Sequence, residues 1–484
     1  MKFTVNNIGL ILKAELLLNG ITLIAAENDS GKSTIGKALF ALIETSNSFE
    51  KEYLIEMTNR INRSFLRINN FLETYEDKMS TYEKYFIKDN IIIDEVLKKI
   101  PFKNYIKFSK IELIENIKKV VSEEINTNSI IELEKTNDFL QNLNFFYNEL
   151  NNNVDTEKMR PSIISKWKMV IGQIESSINE LEFIKDILLQ TTNYEEIKKI
   201  SFEKSLKREF KTGIKNIFLE EEDSSLILEE KGNITEIKFK NNKIISATLP
   251  SKEFCNKYNI IYLESPILLD YIDDICEEFS LLFNKNQLDE NYKVKVLKNN
   301  LTNKDQFDIV EEILGKEEIL QEITKKIESI ISGEFLFDNK NESYSFKKDG
   351  KEIDIKNTAN GIKTFGIIEM LLKNKKLNEN CILIIDEPEV HLHPNWQVKY
   401  AEILTIISLK LGVKILLNSH SPYFIEAIKV YSEKYKNNIK FYSLIDSNDK
   451  KAKILIDKTN DLGFIYNKLI EAYDIIKQVE YSDV

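Results

Sequence analysis

The spacing of hydrophobic residues along the chain follows two patterns, one typical of strands and one typical of helices. Residues 21–25, ITLIA, form a short apolar run rich in β-branched residues, which predicts a buried strand. From Ser33 to Ile43 the apolar residues recur every three or four positions without a proline, which predicts a helix. Strand, loop and helix therefore follow one another near the N-terminus.

The next long stretch is helical in pattern. No glycine occurs between Gly36 and Gly172, and Pro101 and Pro161 are the only prolines there. Apolar positions keep a loose three-to-four spacing, so residues 37–222 are predicted to be mostly helical. The period is too irregular for a sustained heptad coiled coil. We expect a compact helical insertion with short paired helices.

The texture changes near residue 224. SLILEE, NITEIKFK and NKIISATL alternate with turns between them and predict a β-meander, and NIIYLESP (259–266) predicts another buried strand. Residues 267–330 return to a helical pattern, EFLFDN, SYSFKKDG and KEIDIKN predict hairpin strands, and helix and strand alternate from about residue 357. The fold class is therefore α/β, with an antiparallel β-subdomain and a large helical insertion. The predicted segments are 1–45, 46–222, 223–356, 357–445 and a tail, 446–484.

Composition narrows the function classes. The chain has 484 residues, 42% hydrophobic and 30% charged, which suits a globular protein of two or more domains. No apolar run approaches the roughly 20 residues of a membrane span, and the N-terminus lacks a signal pattern. Cys255, Cys276 and Cys381 are scattered, which fits a reducing cytoplasm and excludes a disulfide scaffold. A net charge of −11 argues against a nucleic-acid-binding surface over the whole molecule, but not against a local basic patch.

The loop after residues 21–25 reads AENDSGKST and follows the phosphate-binding pattern G-x-x-x-x-G-K-[ST], except that Ala26 replaces the first glycine. Backbone N–H groups from Asn28 to Lys32 are predicted to surround a phosphate at a helix N-terminus. Lys32 is predicted to reach the β- and γ-phosphates and Ser33 to bind Mg²⁺. If Ala26 needs a positive φ, the penalty is about 1–2 kcal/mol, and otherwise there is none.

An acidic pair supplies the groups that a nucleoside triphosphate site also needs. Four aliphatic residues precede Asp386 and Glu387, which predicts a buried parallel strand ending at the edge where ligands bind. Asp386 is predicted to hold Mg²⁺ through water, and Glu387 to polarise the attacking water. The alternative is a solvated acidic loop without a ligand.

All three histidines lie in this C-terminal region. His420 follows another predicted strand, where it can donate a hydrogen bond to a γ-phosphate. His391 and His393 are either a metal-binding pair or, as we favour, residues of loop packing and subunit contact. The turn at Asn360 and Gly361 precedes an apolar helix, and its N–H groups are a weaker anion-site candidate.

Together these strings resemble the ATP-binding-cassette class of ATPases. More narrowly, they are similar to the bacterial "AAA family" proteins related to OLD nucleases and to SMC and RecF-type ATPases. AENDSGKST resembles Walker A, ILIIDEPEVHLHP resembles Walker B with its D-loop, LNSHSPYFIEAI resembles the switch-histidine strand, and TANGIKTFG resembles a divergent signature loop. The resemblance covers residues 1–45 and 255–445.

The resemblance implies a role for each matching residue. Asp386 matches the Mg²⁺-site aspartate, Glu387 the catalytic glutamate and His420 the switch histidine. Asn360 and Gly361 match the signature loop, which in this class completes the ATP site of a partner subunit in a head-to-tail dimer. The Walker A match covers Asn28, Asp29, Ser30, Gly31, Lys32, Ser33 and Thr34. The Q-loop glutamine has no match, since Glu264 stands near its expected place, and Ile362 replaces a second signature glycine.

Stand-alone proteins of this kind resemble the ATPase components of anti-phage systems such as Septu and PARIS. The resemblance implies a cytoplasmic ATPase that uses ATP and Mg²⁺, forms a homodimer or higher oligomer, and controls a separate effector such as a nuclease or toxin. Only 64 residues follow His420, so no Toprim nuclease domain is expected.

The alternative is a DNA-repair-type ATPase that clamps DNA. Residues 198–215 hold seven basic and two acidic residues, including Lys207, Arg208 and Lys211. This stretch reads either as a DNA-contacting patch or as a solvated helix face. A membrane-transporter ATPase is disfavoured because of the large helical insertion.

Overall fold

A computed structural model gives the fold of the chain in two compact units. One unit comprises residues 1–47 and 202–484, and the other comprises residues 48–201. The structure describes residues 1–27, 30–73, 110, 114, parts of 140–148, 161–189, 193–211, 213–216, 218, 223–240, 242–248, 257–272, 292–303, 315–338, 343–447 and 450–469.

The larger unit is organised around an eleven-stranded sheet. Its strands are β1 (Lys2–Ile8), β2 (Ile11–Leu17), β3 (Ile21–Ala25), β4 (Ser224–Glu230), β5 (Asn233–Lys240), β6 (Lys243–Thr248), β7 (Asn259–Leu263), β11 (Cys381–Asp386), β12 (Lys414–Ser419), β13 (Ile439–Ser447) and β14 (Lys450–Asp457). A separate three-stranded sheet holds β8 (Glu334–Asp338), β9 (Ser343–Lys348) and β10 (Lys351–Asp354). The order in the large sheet is β6-β5-β4-β1-β2-β14-β13-β3-β12-β11-β7.

The large sheet has two halves of different character. In the parallel half, β13, β3, β12, β11 and β7 run in one direction, and most of their residues are buried. In the antiparallel half, each strand runs opposite to its neighbours, in the order β6-β5-β4-β1-β2. The C-terminal hairpin β13–β14 joins the halves, because β14 pairs with β2. The predicted boundary between residues 445 and 446 falls within β13, near the centre of the sheet.

The named helices fall in the larger unit, in the unit of residues 48–201, or in both. Their bounds are α1 (Lys32–Glu73), α2 (Pro161–Leu189), α3 (Asn193–Glu209), α4 (Tyr292–Thr302), α5 (Lys316–Ile331), α6 (Asn360–Lys373), α7 (Pro394–Leu411) and α8 (Pro422–Tyr435). One hydrophobic core joins the parallel strands to α4–α8, and a second joins β1–β7 to the first turns of α1 and the end of α3. Among the described residues, no helix is long and apolar enough to cross a membrane.

The unit of residues 48–201 is helical where the structure describes it. Its parts of α1 and α2 bury apolar side chains at three- and four-residue spacing, and Ser64 donates a hydrogen bond to Glu180 at 3.3 Å. The expectation of short helices is wrong, since α1 spans 42 residues and α2 spans 29. No glycine or proline interrupts α1 after Gly36, in agreement with its length.

The strand predictions are confirmed closely. The β-meander is β4–β6, the buried strand is β7, and the hairpin strands are β8–β10. Residues 267–330 are helical over α4, α5 and a 3-10 turn at Pro266–Asp270, and the rest of that stretch is outside the described residues.

Candidate functional site

The parallel half of the sheet brings three sequence motifs to one edge. Ser419 at the end of β12 is in register with Ala25 at the end of β3, and Asn418 is in register with Asp386 at the end of β11. The loop after β3, the acidic pair after β11 and His420 after β12 therefore leave the sheet side by side. This carboxyl edge is where parallel α/β sheets bind ligands.

The phosphate-loop motif forms a strand–loop–helix turn. Gly31 has a φ of +90°, a conformation open to glycine, and it allows the chain to enter α1. Ser30 Oγ donates to the carbonyl of Glu27 at 2.7 Å. The ammonium group of Lys32 donates to the carbonyls of Ala26 and Glu27, the latter at 3.0 Å, so it lies across the loop. Asn28 and Asp29 lie outside the described residues.

Ala26 accommodates its place in the loop without backbone strain. Its φ is not positive, since it is absent from the residues with left-handed backbone conformation. The penalty that an alanine would incur in a glycine-only conformation therefore does not apply. The departure from the glycine pattern therefore causes no positive-φ strain at position 26.

The negative charges of several carboxylates act on Lys32. Its side chain is buried, and burial lowers its pKa, while the negative charges of Glu387, Glu389 and Asp386 act in the opposite direction. A buried cation among acidic groups is a natural counter-charge for phosphate oxygens. Side chains more than 350 positions apart in the sequence thus share one electrostatic environment.

Two neighbouring strands hold the carboxylate of Asp386. The hydroxyl of Tyr262, on β7, donates to Oδ2 at 2.5 Å, and the side-chain amide of Asn418, on β12, donates to Oδ1. Burial, followed by the charge of Asp386, raises the pKa of Tyr262 well above its usual value, so the phenol stays protonated and donates.

The groups at this point fit Mg²⁺ in their chemistry. Mg²⁺ prefers oxygen ligands and is usually held by one or two protein groups together with substrate phosphates and water. Asp386 and the half-buried Ser33 supply such oxygens, and Oδ1 of Asn418 beside them is a buried acceptor without a hydrogen-bond partner. Asp386 and Ser33 therefore carry oxygens of the kind that Mg²⁺ binds.

Glu387 has an unusual backbone conformation, which sets the direction of its side chain. Its φ is +48°, which is uncommon for a residue with a side chain and occurs often at functional sites. Its N–H donates to the carbonyl of Asn418 at 2.8 Å, so the turn is anchored to β12. The side chain is about two-fifths exposed, and its Oε1 lies 3.7 Å from Nδ1 of His420.

Glu389 fixes the residues that follow β12. Its buried Oε1 accepts hydrogen bonds from Ser419 Oγ at 2.8 Å, from the N–H of His420 at 2.8 Å and from the N–H of Ser421 at 3.1 Å. Nδ1 of His420 lies 3.3 Å from the same oxygen. Glu389 therefore sets the position of the His420 backbone and ring.

His391 and His393 lie in the loop between β11 and α7. His391 is exposed and has a φ of +68°, while Nδ1 of His393 accepts from the N–H of Asn395 at 3.3 Å and caps α7. Within the described part of the chain, no group of three or more His, Cys, Asp or Glu residues converges on a metal position. A Mg²⁺ that also binds phosphate and water does not need such a group.

The signature-like turn packs on this same loop. α6 begins at Asn360, and both Asn360 and Gly361 are half-buried. A Cβ on Gly361 would lie 3.1 Å from the carbonyl oxygen of His391 and 3.4 Å from the ring of Trp396. The structure thus brings Asn360 and Gly361 to the loop after the acidic pair.

A comparison with protein families places the chain. Residues 1–425 match the family model described as AAA ATPase domain. The chain belongs to the AAA ATPase domain family. Membership implies nucleotide binding. A comparison with curated proteins gives no match.

Solved structures similar to this AAA ATPase chain include SMC head domains. The SMC head domain from Thermotoga maritima has 9% identity and a TM-score of 0.26, covering 49% of this chain and 74% of its own. An SMC head domain bound to the C-terminal winged-helix domain of ScpA has 10% identity and a TM-score of 0.29, with coverages of 51% and 76%. An SMC head with an extended coiled coil, bound to the C-terminal domain of ScpA derived from Pyrococcus furiosus, has 11% identity and a TM-score of 0.34, with coverages of 99% and 98%.

The sequence did not point to three residues of this candidate site: Tyr262, Glu389 and Asn418. Asn418 offered a signal, because it is a polar residue near the end of an otherwise aliphatic strand. Tyr262 and Glu389 offered weaker ones, since an aromatic residue in a buried strand and a third acidic residue in a loop are common.

A cleft of about 450 Å³ lies beside the first turns of α1, bordered by Ser33, Thr34 and Lys37. Lys293 on its wall pairs with Glu209 at 3.0 Å and with Glu264, the residue that follows β7. Of the basic stretch 198–215, Arg208 and Lys211 line this cleft and Lys207 pairs with Glu203 at 3.6 Å. The guanidinium of Arg208 also stacks over the ring of Tyr292, so the stretch is not one continuous solvated face.

Proposed function

We propose that this chain is an ATP-hydrolysing switch subunit, in which ATP is held between two head units and its hydrolysis controls a separate effector protein in anti-phage defence. The observation that carries the ATPase part is the convergence of Lys32, Asp386 and Glu387 at one sheet edge, with His420 beside them. Family membership over residues 1–425 supports the same conclusion.

Each side chain has a task in this proposal. The N–H groups at the start of α1 and the ammonium of Lys32 bind the β- and γ-phosphates. Ser33 and Asp386 hold Mg²⁺, which neutralises charge on the phosphate oxygens when bound. Glu387 accepts a hydrogen bond from the attacking water and orients it, and His420 donates to the γ-phosphate.

The pairing of two heads rests on an exposed arrangement. Glu387 and His420 are each about two-fifths exposed, so a second surface can cover them. Asn360 and Gly361 lie at the N-terminus of α6, whose free N–H groups suit an anion. We infer that these residues bind the γ-phosphate held by the partner copy.

The control of an effector rests on the resemblance of DEPEVHLHP and LNSHSP to stand-alone defence ATPases. An unrelated protein that co-purifies with the chain would support this part. The DNA-clamping alternative stays a second candidate, since Lys207 pairs with Glu203 but keeps about two-thirds of its side chain exposed. Salt-sensitive DNA binding that is lost when Lys207, Arg208 and Lys211 are neutralised would support it.

The test compares wild type with Glu387→Gln for ATP hydrolysis and for mass in solution, with and without ATP. We expect hydrolysis to fall at least about 100-fold in the variant, because the group that orients water is lost. Mass should double with ATP and stay doubled in the variant, since product formation no longer separates the heads.

Glu236→Gln is the matched control, because it makes the same chemical change on β5 in the antiparallel half. It should hydrolyse ATP at the wild-type rate. Absence of ATP binding and hydrolysis in wild type would overturn the proposal. Equal rates in wild type and Glu387→Gln would overturn the role of Glu387.

A further inference from the structure

Tyr262 has a position that its strand alone does not require. It lies on β7, is 2% exposed, and points its hydroxyl at Oδ2 of Asp386 at 2.5 Å. Asn418 donates to the other oxygen of the same carboxylate. Since β7 and β12 flank β11 on its two sides, the carboxylate is held from both neighbouring strands.

The Tyr262 ring is itself held in place. Phe40 meets it edge-on, with centroids 6.0 Å apart, and the ammonium of Lys293 lies 4.6 Å from its centroid. Gly36 leaves the space that the phenol occupies, because a Cβ there would lie 3.1 Å from Cε2 and 3.3 Å from the hydroxyl oxygen. The phenol therefore has little freedom to turn away from Asp386.

A carboxylate held in this way is prepared for a cation. Hydrogen bonds to a metal-binding carboxylate fix its rotamer and the direction of its free lone pairs. Removal of such an outer partner lowers metal affinity roughly 10- to 100-fold in proteins. Phenylalanine at position 262 would keep the ring and leave Oδ2 of Asp386 without its donor.

We propose that Tyr262 is a positioning residue for Mg²⁺: it holds Asp386 in the orientation that binds the Mg²⁺ of the nucleotide complex. This inference rests on the proposed function, because it assigns Asp386 to that ion. Tyr262 does not touch the nucleotide. Its loss should weaken the contribution of Mg²⁺ to nucleotide binding and leave the Mg²⁺-independent part unchanged.

The experiment measures binding of AMP-PNP, an ATP analogue that is not hydrolysed, by calorimetry at increasing Mg²⁺. For Tyr262→Phe we expect the Mg²⁺ concentration at half-effect to rise about tenfold. Affinity measured in EDTA should equal that of wild type. The split between the two conditions separates positioning of Asp386 from general damage to the loop.

Tyr258→Phe is the matched control. Tyr258 is also a buried tyrosine whose hydroxyl donates to a carboxylate, that of Glu230, but it precedes β7 at the opposite end of the strand. It should leave the Mg²⁺ dependence unchanged. A shift in this control equal to that of Tyr262→Phe would overturn the inference.

Gly36→Ala is a second variant that keeps the hydroxyl and disturbs its position. Alanine is favourable within a helix, and its methyl group would press on the Tyr262 ring. We expect a shift of the Mg²⁺ dependence in the same direction, and this variant decides the matter if Tyr262→Phe does not fold.

The outcomes separate the two proposals. If wild type binds Mg²⁺–AMP-PNP and the folded variants keep its Mg²⁺ dependence, the role of Tyr262 is overturned while the ATPase proposal stands. If wild type binds no AMP-PNP with or without Mg²⁺, both are overturned.

Discussion

The parallel and antiparallel halves of the eleven-stranded sheet differ in how their strands are buried. In the parallel half, β3 and β11 are buried along nearly their whole length. In the antiparallel half, β5 alternates between buried and exposed positions. The first pattern is that of a strand covered on both faces, and the second is that of a strand with one face in water.

Strand direction also decides where functional side chains from several strands can lie close together. Parallel strands end at the same edge, so Asp386, Ser419 and the loop after Ala25 meet there. Neighbouring antiparallel strands end at opposite edges, so their terminal residues are separated. Their polar residues instead pair across the exposed face, as Lys2 does with Glu15 at 3.0 Å.

The largest expected effect on stability comes from single alanine substitutions at two adjacent positions in β11 and two in β5. Leu383→Ala and Ile384→Ala in β11 should each lower the free energy of unfolding by roughly 2–5 kcal/mol, because both side chains are fully buried on opposite faces. In β5, Ile237→Ala should cost as much, while Lys238→Ala should change it by less than about 0.5 kcal/mol. Denaturant unfolding measures all four. A small effect for either β11 variant would show that one face of the parallel half is not covered.

A smaller effect is expected on the helix layer over the parallel half. Glu369 on α6 is fully buried, and burial raises its pKa to about 7, against the lowering effect of Lys373. Because the folded pKa lies above the ordinary value of 4.5, the stabilisation is complete below about pH 4.5 and is lost as pH rises through 7. The glutamine in Glu369→Gln cannot ionise. The free energy of unfolding of this variant, relative to that of wild type, should therefore rise by up to about 3 kcal/mol from pH 5 to pH 8.

Thermal unfolding at the two pH values measures this gain. Glu322→Gln is the control, since it makes the same chemical change at an exposed carboxylate on α5 that pairs with Lys410 at 2.7 Å. It should follow the pH dependence of wild type. Parallel pH profiles for wild type and Glu369→Gln would contradict the assignment.

The smallest effect is expected in the loop itself. Ala26→Gly should change nucleotide affinity less than about threefold, because the backbone of Ala26 does not adopt the conformation that glycine relieves. Gly31→Ala should weaken affinity about tenfold, since its φ is +90°. Equilibrium binding of AMP-PNP measures both. A tenfold gain for Ala26→Gly would show that the loop is strained at this position.

The sequence predicted the elements of the site better than the contacts within it. Residues 381–386 and 414–419 form β11 and β12, and their aliphatic runs ending in polar residues were sufficient to predict strands. The pairing of Tyr262 with Asp386 joins residues 124 positions apart, and no local pattern specifies it. The same holds for Glu389, whose three donors lie about 30 positions away.

The helical segment shows the opposite error. A missing glycine and a loose three-to-four spacing predicted helix correctly for α1 and α2, because these patterns are local. Helix length was underestimated, because a loose three-to-four spacing does not show where a helix ends. Packing of apolar residues such as Ile61 and Phe65 in the core of that unit supports continuous helices despite it.

The sequence by itself determined the strand–loop–helix turn at Lys32, the acidic pair at the end of β11 and the histidine after β12, because each follows from residue order and periodicity. Only the tertiary structure decided that the β13–β14 hairpin lies at the centre of the sheet and that Tyr262 and Asn418 hold Asp386. Strand order and register depend on contacts between residues far apart in the chain. Those contacts are fixed when the buried faces of all the strands pack together.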